Sequence, residues 1–327
     1  MKNLYSFNLM VNSVKDANDY VKFSTINEVM QYAVRFFNND ELEEALSLIF
    51  LCKSLHYPMV NLDFLRALIF LKLNSPQIAY EAVKEELKLF ANNTDAINLF
   101  DRLDNDFKEN YDSSQPHDFI NLYEKIKLYT TVGVKKSYSL YENALKILHN
   151  GPQGNFVECG VGAGGTSAIL AYVLKDQTER KLFACDSFVG LPKPSKYDTH
   201  HGLPAAKFGQ GEGIAYYSES NVKMLCANLG ADNVLKTIKG YFEQTLPKFK
   251  SEFGKIAFLH LDANWYISVK VILESLYDQI EPGGYIQISD YGFWDGVRMA
   301  LDEFLRKHNL AVDLVKIDNT GLYFIKK

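Results

Sequence analysis

The chain has 327 residues, of which 47% are apolar and 23% charged, and it contains 22 Phe and 20 Tyr. This composition excludes wholesale disorder, and the length predicts two domains with sizeable cores. The formal net charge of -5 argues against a sequence-independent nucleic-acid binder, which needs a basic face. We therefore expect no nucleic-acid partner.

The amino terminus and the cysteines bear on the compartment. The first residues carry one Lys and no long apolar core, so they do not resemble a secretory signal, and no apolar run is long enough to span a membrane. The four cysteines are scattered and form no CxxC pair, which indicates reduced thiols and neither a disulfide framework nor a zinc site. These features predict a cytoplasmic protein.

The first third of the chain has a helical apolar period. An offset of 34 residues aligns Ala33 with Ala67 and Ala45 with Ala79. This is the period of the tetratricopeptide repeat, which residues 26–105 resemble. We predict an all-α domain over residues 1–110, which either offers a surface to a protein partner or a second copy, or only stabilises the main domain. A polar, aperiodic stretch then predicts a linker, placed at 111–124.

From residue 151 onward, strands alternate with helices. The predicted strands are 155–159, 181–185, 234–239, 256–261 and 285–289, and the predicted helices are 166–174, 219–229, 267–279 and 295–308. This alternation indicates a parallel sheet covered by helices. Residues 312–318 and 322–327 add an antiparallel pair, an ending typical of class I methyltransferases. The predicted fold class is α/β, a Rossmann-like sheet with a terminal antiparallel hairpin.

A glycine loop after the first strand fits two templates. Gly160, Gly162 and Gly165 satisfy the dinucleotide pattern GxGxxG, whereas Glu158, with glycines at 160, 162 and 164, satisfies the ExGxGxG pattern of S-adenosylmethionine enzymes. An acidic residue two positions before the first glycine suits the ammonium of a methionine moiety, so Glu158 favours the methyl donor. Asp186, at the end of the second strand, suits ribose hydroxyls under either template.

Six segments in chain order resemble the macrocin O-methyltransferase family. They are VECGVGAGG at 157–165, DSFVGLP at 186–192, GYFEQTLP at 240–247, LHLDANWY at 259–266, PGGY at 282–285 and DY at 290–291. The resemblance covers about residues 125–327. It implies methylation of sugar hydroxyls on natural products, S-adenosylmethionine as donor, a divalent metal such as Mg2+, and an oligomer.

The resemblance also implies roles for individual residues. Donor contacts are implied for one set, namely Glu158, Gly160, Gly162, Gly164, Asp186, Ser187 and Phe242. Phe242 belongs to a segment expected near the adenine, with core packing as the alternative. Asp262 and Asp290 end neighbouring strands, and two carboxylates at one sheet edge suit a hard cation.

The chain departs from the family pattern at two positions that matter for the chemistry. Asn264 stands where the family usually has an Asp proposed as general base, and Ser289 stands where it has an acidic residue. An amide cannot accept a proton at neutral pH, so Asn264 can orient a substrate or bind a metal but cannot be the base. Either the acceptor is more acidic than a sugar hydroxyl, or another group takes the proton, or activity is reduced.

His260 is the candidate substitute for the missing base. It lies two residues before Asp262, so the strand period places both side chains on one face, and its ordinary pKa suits proton transfer. The alternative is a buried histidine with a structural partner. Residues 193–218 contain His200 and His201 and several glycines, which predicts a mobile acceptor lid whose histidines either serve chemistry or are incidental.

The sequence thus predicts a methyltransferase that transfers the donor methyl group to a hydroxyl of a sugar or glycosylated metabolite, with Asp262, His260 and Asn264 as catalytic candidates. The alternatives are a binding or scaffold protein that keeps the fold without turnover, and a nicotinamide oxidoreductase.

Overall fold

A computed structural model describes residues 26–54, 58–73, 76–108, 115–208 and 210–327. The chain divides into two compact units, Met1–Phe107 and Lys108–Lys327. The start of the predicted helical domain and residues 111–114 of the predicted linker lie outside the described residues.

The first unit is helical. Its helices are α1 (Ile26–Asn38), α2 (Leu42–Ser54), α3 (Leu62–Lys72), α4 (Pro76–Leu89) and α5 (Thr94–Lys108). Helix α1 packs on α2 and α3 packs on α4. The alanines that the 34-residue offset aligns, at 33, 67, 45 and 79, are all fully buried, so aligned positions share the same burial. For the part of this unit that the structure describes, the all-α prediction is confirmed.

The predicted linker overlaps a helix at its carboxyl end. Helix α5 ends at Lys108, before the predicted start at 111, whereas α6 (His117–Ile126) begins directly after Pro116. Phe119 and Leu122 on α6 are buried in a core of the second unit. The polar residues His117 and Asp118 lie on the exposed face of this helix, and composition alone does not distinguish such a face from a loop.

The second unit contains a sheet and its covering helices. The elements after α6 are α7 (Val134–Asn150), β1 (Asn155–Cys159), α8 (Gly165–Leu174), β2 (Leu182–Asp186), β3 (Thr199–His200), β4 (Leu203–Pro204), α9 (Glu219–Asn228), β5 (Leu235–Lys239), α10 (Phe242–Phe253), β6 (Ile256–Leu261), α11 (Tyr266–Leu276), β7 (Ile280–Ile288), α12 (Asp295–Lys307), β8 (Val315–Lys316) and β9 (Leu322–Ile325). Strands β3 and β4 form a separate small hairpin.

The seven-stranded sheet has the order β5-β2-β1-β6-β7-β9-β8. The first five strands are parallel, and β9 lies antiparallel between β7 and β8. Two apolar cores fill the unit, and every residue of β6 is buried. The predicted fold class, including the terminal antiparallel pair, is confirmed.

The order of strands fixes where a ligand can bind. Strand β1 has β2 on one side and β6 on the other, so the chain reverses its direction of travel across the sheet between them. Loops at the carboxyl ends of such strands diverge and leave a crevice. None of the described helices is long and apolar enough to cross a membrane.

Candidate active site

The glycine loop between β1 and α8 lies at this crevice. Gly160 has φ +94°, and a Cβ there would lie 2.3 Å from the carbonyl oxygen of Asp262, so only glycine lets the loops after β1 and β6 pass each other. At Gly162, with φ +54°, the ring of Tyr217 is the one group among the described residues that comes within 4 Å of a Cβ position. A ligand can therefore approach the loop amides and the start of α8.

Asp186 closes the loop from the end of β2. Its Oδ2 accepts hydrogen bonds from the backbone amides of Val161 (2.8 Å) and Gly162 (3.3 Å), and its Oδ1 accepts from Phe188 N (2.8 Å). Burial raises the pKa of Asp186, and these amides oppose the rise. The carboxylate thus ties two loops together. Its Oδ2 already accepts two hydrogen bonds, so Oδ1 is the oxygen that keeps lone-pair capacity for a ligand hydroxyl.

Two other predicted donor residues lie at the same edge. Gly240 N donates to Asp186 O (2.9 Å), which brings the start of α10 and hence Phe242 beside β2. Phe242 is half-buried and packs against a core, so it can also wall a pocket. The Ser187 hydroxyl donates to Gly190 O (2.7 Å) and accepts from Val189 N (3.1 Å), so it shapes its own loop.

A buried polar row crosses the sheet beneath this edge. It consists of Glu158 on β1, His260 on β6 and Ser289 after β7, all fully buried. His260 Nδ1 lies 2.7 Å from Glu158 Oε1, and His260 Nε2 lies 2.9 Å from Ser289 Oγ. The second oxygen of Glu158 accepts a hydrogen bond from Ser167 on α8.

The buried polar row bears on two predictions. His260 has both ring nitrogens bonded inside the protein and no exposed surface, which favours the alternative of a structural histidine. The carboxylate of Glu158 is likewise bonded on both oxygens, to Ser167 and His260, and its contact with the donor ammonium stays a prediction. Glu158 joins β1, α8 and β6, which positions the loop between β1 and α8.

Asp262 and Asp290 are brought together as predicted, because β6 and β7 are neighbours in the sheet. Both are half-buried. Burial and the adjacent Asp290 carboxylate raise the pKa of Asp262 to about 6, against the lowering influence of His260 and Lys136. Burial also raises the pKa of Asp290. Asn264 points an amide N–H at Asp290, with Nδ2 3.4 Å from Oδ2.

Lys136, on the first turn of α7, is a site residue that sequence reasoning missed. Its Nζ donates to Ser289 O and to Thr320 Oγ1, both at 3.0 Å, and lies 3.9 Å from Asp290 Oδ1. The helix that carries Lys136 precedes the sheet and contains no motif, so nothing in the sequence pattern could have indicated it.

The predicted Mg2+ site does not fit these donors. Mg2+ takes oxygen ligands, chiefly carboxylates, in octahedral geometry. No three His, Cys, Asp or Glu side chains are grouped for a metal anywhere in the described ranges. Asp290 instead has nitrogen donors beside it, with Asn264 Nδ2 3.4 Å from its Oδ2 and the Lys136 ammonium 3.9 Å from its Oδ1, where a metal would need unobstructed oxygens.

The predicted lid region, 193–218, is held by a buried carboxylate. Asp198 accepts hydrogen bonds from Ser195 N (2.6 Å), Ser195 Oγ (2.8 Å) and Tyr266 N (2.6 Å), the last at the start of α11. Trp265 Nε1 donates to Pro192 O (2.8 Å), which fixes the preceding loop to the same turn. Asp198 was also missed by the sequence analysis.

The histidine pair of this region has a structural environment. His200 Nδ1 lies 2.7 Å from Phe293 O, and its ring stacks on Phe293 with centroids 4.2 Å apart. The ring also meets Phe208 and Trp294 edge-on. These contacts give His200 a role in packing the β3–β4 hairpin on the start of α12.

Comparison with known proteins decides between the two glycine-loop templates. A family model described as Macrocin-O-methyltransferase (TylF) matches residues 125–326. The chain belongs to the macrocin O-methyltransferase family. It is therefore an S-adenosylmethionine-dependent methyltransferase, and the nicotinamide alternative is set aside.

Two curated relatives illustrate the family. An 8-demethyl-8-(2,3-dimethoxy-alpha-L-rhamnosyl)-tetracenomycin-C 4'-O-methyltransferase from Streptomyces olivaceus is 29% identical over 199 residues, 60% of this chain and 75% of the relative. A Mycinamicin III 3''-O-methyltransferase from Micromonospora griseorubida is 27% identical over 202 residues, 60% of this chain and 78% of the relative.

Solved structures agree with the fold. The O-methyltransferase NovP superposes with a TM-score of 0.55 and 27% identity, over 61% of this chain and 82% of NovP. A calicheamicin methyltransferase superposes with a TM-score of 0.50 and 18% identity, over 74% of this chain and 91% of that protein, and supports the fold alone.

Proposed function

We propose that this methyltransferase methylates a hydroxyl group of a sugar or of a glycosylated small molecule. The proposal is supported by the relatives, one of which is named for a rhamnosyl tetracenomycin substrate. The observation that carries it is the placement of Asp262 at the donor loop, since Gly160 lets the backbone of Asp262 pass directly against that loop.

In this proposal the donor is held at the carboxyl ends of β1 and β2, beside the crevice. The glycine loop and the start of α8 face the methionine end, Asp186 accepts from the ribose hydroxyls, and Phe242 covers the adenine. The hydrogen bonds of Asp186 to the loop amides support this arrangement, because they fix the carboxylate before the donor arrives.

Asp262 is the proposed proton acceptor. Asn264 carries an amide and His260 is sealed inside the protein, whereas Asp262 is half-buried and has a pKa raised to about 6 by burial and by Asp290. A carboxylate with a raised pKa is a better base at neutral pH than an ordinary one. The acceptor oxygen would lose its proton to Asp262 and attack the donor methyl in line, releasing S-adenosylhomocysteine.

Three accompanying predictions concern the metal, the compartment and the partners. The Mg2+ implied by the family resemblance is not part of the proposal, because Lys136 and Asn264 face the carboxylates that would bind it. A cytoplasmic location is supported by the four cysteines, all buried and unpaired. An oligomer or a partner bound by the helical unit remains a prediction.

The test is transfer of labelled methyl from S-adenosylmethionine to a panel of deoxysugar glycosides and matched aglycones. We expect label only on the glycosides, and none with Asp262→Asn. Binding of S-adenosylhomocysteine without any transfer across the panel would favour the alternative of a scaffold protein that has lost turnover.

A further inference from the structure

Lys136 is fixed at the active site from several directions. Its ammonium is bonded to Ser289 O and Thr320 Oγ1, and the residue is only 8% exposed. Its backbone carbonyl accepts from Gln287 Nε2 (3.0 Å), which anchors α7 to β7. A surface lysine that swings inward by chance would have none of these constraints.

The terminal hairpin is shaped around the lysine stem. A Cβ at Gly321 would lie 2.5 Å from Lys136 Cδ, so only glycine leaves room for the side chain. Thr320 Oγ1, which accepts from Lys136, itself donates to Asp318 Oδ1 (3.0 Å). The hydroxyl of Thr320, which accepts from the ammonium, is therefore held in place by a hydrogen bond that does not involve Lys136.

The charges around this ammonium differ from those that a divalent ion requires. Ser289 and Asn264 are neutral where the family pattern has acidic residues, so two carboxylates, Asp262 and Asp290, share one fixed positive charge. A second cation bound between the carboxylates would be repelled by Lys136 at short range.

We infer that the ammonium of Lys136 takes the place of the divalent cation in this active site, so that methyl transfer by this chain needs no metal. The lysine supplies a positive charge beside the two carboxylates, and this charge faces the negative charge developing on the acceptor oxygen. This inference rests on the proposed function for its catalytic meaning, but its test does not depend on turnover.

The test is a titration of the purified full-length protein with Mn2+, followed by electron paramagnetic resonance of the free ion. We expect wild type to bind Mn2+ no more tightly than Asp290→Asn does. Lys136→Met should bind it at least about tenfold more tightly than wild type, because a charge beside the carboxylates is lost. The matched control is Lys135→Met, an exposed neighbour on the same helix, which should leave Mn2+ binding unchanged.

The inference is overturned if wild type binds Mn2+ more tightly than Asp290→Asn does. It is also overturned if Lys136→Met folds but binds Mn2+ no more tightly than wild type. If Lys136→Met fails to fold, the comparison of wild type with Asp290→Asn decides alone. A second measurement is methyl transfer in excess chelator, which should match the rate with added Mg2+. The Mn2+ result stands even if no glycoside in the panel is methylated, so this inference and the proposed function fail separately.

Discussion

Individual side chains decide the chemistry of this site more than the motif that contains them. The sequence LHLDAN holds three polar residues, and the structure gives each a different environment: His260 is sealed in the sheet, Asp262 borders the crevice, and Asn264 faces Asp290. The two-residue period of a strand predicts His260 and Asp262 on one face. Strand β6 ends at Leu261, however, so the alternation does not extend to Asp262.

Asp262→Asn should separate function from stability. The pKa of Asp262 rises from 3.8 to about 6 on folding, so the native state binds more protons than the unfolded state between these values, and stability falls as pH rises through that window. At pH 8 the amide removes this penalty, and we expect the free energy of unfolding to increase by about 1–2 kcal/mol after discounting for solvent exposure. Urea unfolding at pH 8 measures this free energy. A decrease in the variant would contradict the view that ionised Asp262 destabilises the folded protein.

The pH profile should distinguish Asp262 from His260 as proton acceptor. With Asp262 as base, log kcat/KM should rise with pH along an acid limb and level off above about pH 6, since only the ionised carboxylate accepts a proton. His260→Gln should keep that limb while lowering the free energy of unfolding by about 1–3 kcal/mol, because buried Glu158 and Ser289 lose good hydrogen bonds. If the limb vanished in a folded His260→Gln, the histidine would be the base after all.

At the scale of elements, the sequence predicts the catalytic sheet well and its surroundings poorly. Strand β6 is found at its predicted bounds because a largely apolar run of six residues is too short for a typical buried helix. Helix α7 was not predicted, because its buried face carries polar residues, among them Lys136, Ser139 and Asn143, which hide the helical period. Lys136 was therefore missed for the same reason as α7, the helix that carries it.

The lid region was predicted to be mobile, but its attachment through Asp198 gives it a defined position. A Cβ at Gly296 would lie 2.5 Å from Asp198 Oδ1, so three elements, the lid, α11 and α12, meet at this carboxylate. No spacing in the sequence indicates such a junction, since Asp198 lies in an irregular segment.

Asp198→Ala should release the lid without touching the donor loop. Three hydrogen bonds are lost, and we expect faster limited proteolysis within 193–218 and a KM for the acceptor raised about tenfold, with little change in S-adenosylhomocysteine affinity. Asp313→Ala, an exposed aspartate on the terminal segment, is the matched control. Equal losses of donor and acceptor binding would show that Asp198 supports the whole fold and not the lid.

At the scale of the molecule, the two units have different stabilising interactions. The helical unit contains a network in which Lys53 and Arg66 each bridge Asp63 and Glu85, at distances of 2.6 to 3.2 Å. Burial opposes ionisation of Glu85, but Arg66 and Lys53 outweigh it and hold its pKa well below its usual range. Removing one member of such a network leaves the others desolvated and incompletely paired.

We expect two calorimetric transitions, one for each unit. Glu85→Gln should lower the free energy of unfolding of the helical unit by about 3 kcal/mol, whereas Glu41→Gln, at an exposed position, should leave it unchanged. S-adenosylhomocysteine at about 100 times its Kd should stabilise only the methyltransferase unit, by about 2.7 kcal/mol. A single transition shifted by both changes would mean that the units unfold together.

The bond between Lys136 and Thr320 has a consequence for the order in which the site is built during folding. The two residues lie 184 positions apart, whereas Val161 and Asp186, which close the donor loop, lie 25 apart. Contacts over long separations form late, because the loop-closure entropy must first be overcome. The crevice for the donor can therefore assemble while the terminal hairpin is still unfolded. The charge arrangement at the acceptor side therefore depends on a contact of much longer range than the one that closes the donor loop.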